Sequence, residues 1–464
     1  MTCHAGAAAG GLLVQQQRQA AAAAATATME MASARRRAKQ QQMALWGACC
    51  CMLLSSLALL AACSSSGLGL GIGAARLAGG EAAAAGALAV GRVTTANAGG
   101  GIGYCGDGDD DDDLDSMAVD GEWVRDAGGR RPMYEPGRCP FVDEGFRCRE
   151  NGRPDGEYAG WRWRPRRCTL PRFDADKLLG ILRNRRLVFV GDSIGRNQWE
   201  SMLCMLSSGA GAGEPGSIYE ENGSPISKHT GFLSFRFRDH NCTVEHYRSP
   251  YLVRRGRPPR RSPGRVGSTL QLGAMDARAK QWKDADILVF NTGHWWNQER
   301  LRQLGCYFQD GKKLRLNMSV EDAYQKAMDT LHKWVQKNVN TAKTLVVLRT
   351  YSPAHTRDTP GGGGCSAETV PELNTSRISL RRWPGLLMPA SGATPGLQLL
   401  NVTLMTAQRR DGHPSVYNVG PPSPERAAAA AAAGQRADCS HWCLPGVPDA
   451  WNELLYAVIV KRFS

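Results

Sequence analysis

Three short runs of nearly unbroken Val, Leu and Phe stand out along the chain: LVFVGDS from Leu187, DILVFNTG from Asp286 and LVVLRTYSP from Leu345. Each ends in small or polar residues. A strand with one wet face alternates apolar and polar at period two, so runs without that alternation predict strands covered on both faces. Between and after them the period changes to that of a helix. Residues 197–207 read as a helix following the first strand, and residues 319–339 as another, with Ser319 placed to cap its start and Ala323, Ala327, Leu331, Trp334 and Val335 forming an apolar stripe. Strands alternating with helices predict a parallel α/β sheet with functional residues at the carboxyl ends of its strands. Residues 121–175, rich in Trp, Arg, Pro and Cys, predict a less regular lobe in front of that sheet. Trp161 and Trp163 alternate there, share one face of an extended segment, and read as structural.

Upstream the pattern is different. Residues 1–42 are dominated by Ala, Gln, Gly and Arg, with too few large apolar side chains to offset the entropy of ordering them, and predict a cytosolic low-complexity tail. Residues 43–63, MALWGACCCMLLSSLALLAAC, carry no charge and are long enough to cross the hydrocarbon layer as a helix. Arg35, Arg36, Arg37 and Lys39 precede this stretch and no charge follows until Arg76, which sets the N-terminus in the cytosol and the bulk of the chain in the lumen. A cleaved signal peptide would place a shorter apolar region nearer the N-terminus, so a single-pass type II signal anchor is the expectation. The ending LLAACSSSG also has the form of a bacterial lipoprotein site, against which stand the long leader and the many later cysteines. Residues 64–120 predict a flexible Gly/Ala/Asp-rich stem; the aspartate run at 109–113 lacks the spaced ligands and turn glycine of a calcium loop. The folded part is then 121–464, divided into the lobe at 121–175 and a core at 176–464, with the alanine run at 427–433 a loop insertion.

Composition narrows the function classes. The 464 residues carry a formal net charge of +14. The densest basic stretch, RRGRPPRRSPGR at 254–265, is broken by prolines and has no interleaved aromatics, which argues against nucleic acid and leaves a solvated loop or a surface for an acidic polysaccharide. Of 15 cysteines, nine are spread through the folded part: Cys139, Cys148, Cys168, Cys204, Cys242, Cys306, Cys365, Cys439 and Cys443. No pair of C-x-x-C motifs is present, so no structural zinc or other metal site is expected, and disulfides suit the pattern better. Sequons at Asn222, Asn241, Asn317, Asn374 and Asn401 fit a secretory chain that is glycosylated and oxidised.

The chemistry concentrates in two places. Gly191-Asp192-Ser193 follows the first strand directly, where a tight turn exposes a hydroxyl at the sheet edge and a helix N-terminus aims N–H groups at developing negative charge. A serine there can equally be a plain helix cap. Near the C-terminus, DCSHWCLPGVPDAWNELLY sets Asp438 three residues before His441, so one short turn presents a carboxylate and an imidazole together. Half of a metal site is the competing reading, but no further His or acidic cluster is near to complete it. Cys439 and Cys443 bracket this loop and would stiffen it if each is bonded elsewhere.

Taken together, a strand ending in G-D-S and a C-terminal D-x-x-H resemble the GDSL-type serine esterases. The longer strings FRCRENGRPDGEYAGWRWRPRRCTLPRF (146–173), GDSIGRNQWESMLC (191–204), ILVFNTGHWWN (287–297) and DCSHWCLPGVPDAWNELLY (438–456) resemble the plant trichome-birefringence-like family of wall-polysaccharide O-acetyltransferases. The resemblance implies a three-layer SGNH/GDSL-like α/β core with a smaller, irregular, disulfide-linked lobe, in a Golgi membrane protein facing the lumen. It implies Ser193 as nucleophile, His441 as base and Asp438 as its orienter, with Cys139, Cys148, Cys168, Cys204, Cys365, Cys439 and Cys443 as disulfide candidates. Arg196, Asn197 and Asn291 would serve oxyanion or acceptor contacts, and Trp295 and Trp296 would line a sugar groove or pack in the core. No bound cofactor is implied, only an acetyl donor, acetyl-CoA or an acetylated intermediate; the acceptor would be xylan, a pectin such as rhamnogalacturonan, or a mannan. Ser116 stands where family members carry a cysteine shortly before the G-x-W at Trp123, which leaves Cys105 as the substitute for one expected disulfide. A triad alone serves an acetylesterase as well as a transferase, and a non-catalytic wall-glycan-binding protein is the third reading. An oligomeric state has no signature in the sequence.

Overall fold

The computed structural model describes residues 104–105, 120–129, 131–209, 216–226, 231–356, 365, 368–378, 395–419 and 437–464. The tail, the apolar span at 43–63, the stem apart from residues 104, 105 and 120, the aspartate run, Ser116 and the alanine run lie outside the described residues. Among the described residues no helix is long and apolar enough to cross a membrane.

Among the described residues the strands are β1 (Gly121–Arg125), β2 (Trp161–Pro165), β3 (Arg186–Gly191), β4 (Ile218–Glu220), β5 (Phe232–Phe237), β6 (Cys242–Arg248), β7 (Val253–Gly256), β8 (Ser268–Met275), β9 (Ile287–Asn291), β10 (Cys306–Asp310), β11 (Lys313–Arg315), β12 (Leu345–Arg349) and β13 (Leu397–Leu400). The α-helices that matter here are α1 (Ala175–Ile181), α2 (Ser193–Leu206), α3 (Ala279–Trp282), α4 (Gln298–Gln303), α5 (Val320–Asn338), α6 (Thr403–Ala407) and α7 (Val447–Phe463). Seven strands form the main sheet in the order β13-β12-β9-β3-β6-β5-β4. From β13 to β6 neighbours run parallel, and β5 and β4 add an antiparallel edge.

The three apolar runs become the central strands β3, β9 and β12, and period two sorts their side chains between two cores. Leu187, Phe189, Ile287, Val289, Leu345 and Val347 pack on one face with residues of α1, α2 and α7. Val188, Val190, Leu288, Phe290, Val346 and Leu348 pack on the other with α5 and Trp282 of α3. The second face is also covered by a smaller sheet, β11-β10-β8-β7, which contributes Leu270, Leu272 and Phe308. Both faces are therefore dry, as a run without alternation requires.

Ser319 caps α5 by accepting from the Asp322 amide, and the predicted stripe is buried at Ala323, Ala327, Leu331 and Val335, with Trp334 half-buried. The helix expected at 197–207 instead begins at Ser193. Its cap is Asp192, whose carboxylate accepts from the Ile194 and Gly195 amides, so the first turn forms immediately after the strand.

In the lobe, β1 and β2 pair antiparallel with Trp123 opposite Trp163, and both rings are buried along with Trp161. Four disulfides tie the lobe and loops down: Cys105–Cys168, Cys139–Cys204, Cys148–Cys443 and Cys365–Cys439. All seven cysteine candidates are bonded, and Cys105, numbered within the expected stem, is the eighth partner. Cys242 and Cys306 are buried thiols.

Candidate active site

Register across the main sheet sets Gly191 of β3 opposite Arg248 of β6, and Arg349 of β12 opposite Asn291 of β9, so these residues end adjacent strands along one carboxyl edge. Ser193 is the first residue of α2 and the only one of its fourteen that is not buried. The tight entry depends on two glycines. A Cβ on Gly191 would lie 1.9 Å from Asn291 Oδ1, and one on Gly195 would lie 1.8 Å from the same atom. The Asn291 amide fills the space these glycines leave, and its Nδ2 donates to Asp192 Oδ1 at 2.7 Å.

The loop at 437–446 brings the partners. The Asp438 Oδ1 atom accepts from the backbone amides of Ser440 at 3.0 Å and His441 at 3.1 Å, which folds the D-x-x-H turn on itself. Asp438 Oδ2 lies 2.8 Å from His441 Nδ1, and His441 Nε2 lies 2.8 Å from Ser193 Oγ. With the Nδ1 proton donated to the carboxylate, Nε2 holds the lone pair that accepts the serine hydroxyl proton. Burial raises the Asp438 carboxyl, but the charge of His441 and the bonds from His441 and Ser440 outweigh it and hold the group well below the ordinary carboxylate range.

Several contacts lock the loop. Trp442 N–H donates to Asn197 Oδ1 at 2.7 Å and Asn197 Nδ2 donates to the Trp442 carbonyl at 3.1 Å. Cys439 and Cys443 are each bonded elsewhere, to Cys365 and Cys148. The Leu444 amide donates to the Phe146 carbonyl, and the Phe146 ring lies 5.4 Å from the His441 ring. The N-terminal lobe thus forms one wall of the site.

A cavity of about 320 Å³ opens over Ser193 and His441, lined also by Arg196, His246, Arg248, Trp295, Arg300 and Phe146 among others. Arg196 is buried and its Nε donates to Glu200 Oε1 at 2.7 Å; burial lifts the Glu200 carboxyl to about 7 against the pull of Arg196. Two guanidiniums lie over the Trp295 ring, Arg300 at 3.8 Å and Arg248 at 5.4 Å. Burial, aided by the charge of Arg196, drives His246 down to about 3, so it is neutral. A second, larger cavity of about 750 Å³ lies beside the segment that follows β9, lined by His294, Trp296, Asn297, Arg302 and Tyr351. His294 Nε2 donates to the Ser352 carbonyl at 2.7 Å, and burial lowers this ring to about 4.

Of the residues expected at the site, Ser193, Asp438, His441, Arg196 and Trp295 meet around the smaller cavity. Asn197 and Asn291 do not line it. Both are buried, and their amides fasten the Trp442 backbone and Asp192 respectively. Trp296 is a core residue, its Nε1 bonded to Thr292 and its ring set against Tyr251 and Tyr324, with an edge on the larger cavity. The expected helix-terminal N–H groups are partly committed, since Asp192 takes those of Ile194 and Gly195. Asn222, Asn241, Asn317 and Asn374 are exposed, whereas Asn401 is partly buried with its Oδ1 accepting from Thr350 and Thr403. Among the described residues no group of three or more His, Cys, Asp or Glu is placed to hold a metal ion.

Sequence reasoning missed Arg248, Arg300, His246 and His294. Arg248 and His246 lie on a strand without an apolar run, and His294 sits inside the NTGHWWN string, where nothing local separates a cavity-lining ring from a core one.

Residues 170–458 match PC-Esterase, the GDSL/SGNH-like acyl-esterase family found in Pmr5 and Cas1p, and residues 117–169 match the PMR5 N-terminal domain. Among curated proteins of Arabidopsis thaliana, the chain is 42% identical to protein trichome birefringence-like 9 over 352 residues, which is 74% of this chain and 83% of that protein. It is 42% identical to trichome birefringence-like 7, covering 74% and 73%, and 40% identical to the protein trichome birefringence, covering 74% and 56%.

Proposed function

Because the chain belongs to the trichome birefringence-like family and carries its GDSL/SGNH-like acyl-esterase domain, an acyl-related enzyme, we propose that it is an O-acetyltransferase acting on a plant cell-wall polysaccharide through an acetyl-enzyme on Ser193. The observation that carries this reading is the unbroken relay from Ser193 Oγ through both His441 nitrogens to Asp438, at 2.8 Å per link. In the first half-reaction Ser193 Oγ attacks the donor's acetyl carbonyl while His441 Nε2 takes the hydroxyl proton and then gives it to the leaving group. Asp438 stabilises the imidazolium formed in between. Arg196, in the cavity wall, faces the negative charge that develops on the carbonyl oxygen. In the second half-reaction His441 deprotonates a sugar hydroxyl, which attacks the acetyl group and regenerates Ser193.

The acetyl donor is acetyl-CoA or an acetylated intermediate. Among xylan, mannan and pectin as acceptors, the guanidiniums of Arg248 and Arg300 over Trp295 support an acidic polymer, since a uronate carboxylate takes bidentate bonds from such groups. The apolar span at 43–63 and the basic residues before it support a single-pass type II anchor in the Golgi membrane with this domain in the lumen, and the four exposed sequons support glycosylation there. The acyl-esterase description of the matched family favours a second reading, an acetylesterase, in which water replaces the sugar hydroxyl.

The test is product analysis by mass spectrometry after incubating purified full-length chain with acetyl donor and xylan, mannan or pectic oligomers. Ser193-dependent acetylation of the glycan is expected, lost in Ser193→Ala while circular dichroism is unchanged. Free acetate without acceptor modification would establish the esterase instead, and glycan binding with no Ser193-dependent product would leave a binding protein.

A further inference from the structure

Two buried histidines that the relay does not use grip the backbone of the catalytic loop. His413 is 1% exposed and His355 4%. His413 Nδ1 lies 2.6 Å from the carbonyl oxygen of His441, and His355 Nε2 lies 2.9 Å from that of Ala407. The remaining nitrogens, His355 Nδ1 and His413 Nε2, face each other at 2.7 Å. A carbonyl oxygen only accepts, so each outer contact needs a ring N–H, and the central contact needs one proton between its two nitrogens. Three contacts require three protons. Two neutral imidazoles carry two, and any placement of two leaves one contact with lone pair against lone pair at hydrogen-bonding distance.

We propose that His355 and His413 share a third proton as a buried imidazolium–imidazole pair, and that this pair positions His441 and holds it in its free-base form. The role rests on the acyl-transfer reading above; the proton count does not.

The surroundings both oppose and support the charge. Burial pushes His355 down to about 4 and His413 well below its ordinary range, and Arg410 and His441 add repulsion. On the other side, Asp438 attracts a proton toward His413, and the Trp442 ring stacks on His413 with centroids 4.0 Å apart, which suits a cation over an indole. Two further arginines stand close with carboxylate partners: Arg153, which donates to the His413 carbonyl and pairs with Asp155, and Arg409, which pairs with Asp411. The complete set of three short bonds, one more than the neutral pair can make, opposes the cost of burying the charge.

Two consequences reach the reaction. The bond from His413 to the His441 carbonyl, with that from the His355 amide to the Cys439 carbonyl, fixes where the catalytic imidazole sits. A positive charge in the pair also disfavours a second one on His441, which must start each half-reaction as a free base.

The direct test is proton NMR of the unsubstituted full-length chain carrying ¹⁵N-histidine, at neutral pH. Three ring N–H protons are expected for the pair, one of them coupled to a nitrogen of each ring; two protons, one per ring, overturn the proposal. The functional test is the pH profile of kcat/KM for His355→Gln, whose amide can keep hydrogen bonds without the charge. The acid limb should move to higher pH by about half a unit, the size expected of one charge several ångströms away at an intermediate dielectric constant. A uniform fall with no shift would reduce the pair to scaffolding and sink its role in tuning His441. Should His355→Gln fail to fold, the proton count on the native chain decides. Absence of any Ser193-dependent acetyl transfer would remove the acyl-transfer reading, and is told apart because the NMR signal does not depend on turnover.

Discussion

A single side-chain amide connects the sheet to Ser193. Asn291 is wedged where Gly191 and Gly195 lack a Cβ, and its Nδ2 holds the Asp192 carboxylate that caps the helix of Ser193. Asn291 is buried, so it can make room for an added methyl only by giving up its present contacts. Gly195→Ala should therefore displace Asn291, loosen Asp192 and move the serine. A misplacement near 1 Å costs about 100-fold in rate, so kcat should fall about that far with KM little changed; turnover within threefold of the parent chain would refute the wedge. Asp438 is the second such residue. Asp438→Asn keeps the shape of the turn but favours the wrong imidazole tautomer, and kcat should drop about 10⁴-fold, as for the same change in a Ser-His-Asp triad. Because its folded carboxyl is held below the ordinary range, it contributes stability above its unfolded value of about 3.9, and that contribution falls away as pH drops through the folded value. Denaturant melts of the parent chain and Asp438→Asn should accordingly differ at neutral pH, and the difference should shrink progressively as pH falls below ~4 toward the folded value.

At the scale of elements, the catalytic loop is short and without regular structure, so its rigidity comes from outside. Cys443 is bonded to Cys148 across 295 residues, and Asn197 of α2 clamps the Trp442 backbone between Cys439 and Cys443. Closing so long a loop removes much entropy from the unfolded chain. Replacing both Cys148 and Cys443 by Ser should cost about 2–5 kcal/mol of stability in chemical denaturation, with activity lost at least in proportion. What could be read in advance follows from how local each signal is. β3, β9 and β12 were legible because burial on both faces removes alternation, and α5 because its stripe and its Ser319 cap are both local. The start of α2 was not, since Gly-Asp-Ser spells a turn until Asp192 is seen to cap the helix. α7 is buried almost all round and so has no stripe to read. In the second sheet the β8–β10 and β7–β8 pairings join residues well apart in sequence, which no local pattern specifies, whereas β10 and β11 form a tight hairpin. The meeting of Ser193, His441 and Asp438 could be read from two motifs, whereas the contacts of Asn197 and Asn291 could not, because an amide facing a backbone and one facing a cavity are spelled alike.

On the scale of the whole domain, the site is built from both ends of the described chain. Ser193 comes from the edge of the main sheet, His441 from a loop near the C-terminus, and Phe146 from the lobe in front. The two cores on either face of the sheet fix the first of these, and α7 packs against α2 to carry the chain away from the second. The covalent ties follow the same plan: Cys139–Cys204 joins the lobe to α2 and Cys148–Cys443 joins it to the catalytic loop, so the three parts cannot separate while these bonds last. Every one of the eight bonded cysteines is buried, at 6% exposure or less. A thiolate must reach a sulfur along its bond axis, so reduction of buried disulfides requires the domain to open first. Titrating the native full-length chain with a dithiol at neutral pH should leave activity and near-ultraviolet dichroism intact until both fall together, and alkylation should then find ten newly reactive cysteines from this domain, the two buried thiols Cys242 and Cys306 included. Loss of activity at a dithiol concentration that leaves the dichroism unchanged would show that one tie opens alone, and mapping the alkylated residues would identify it.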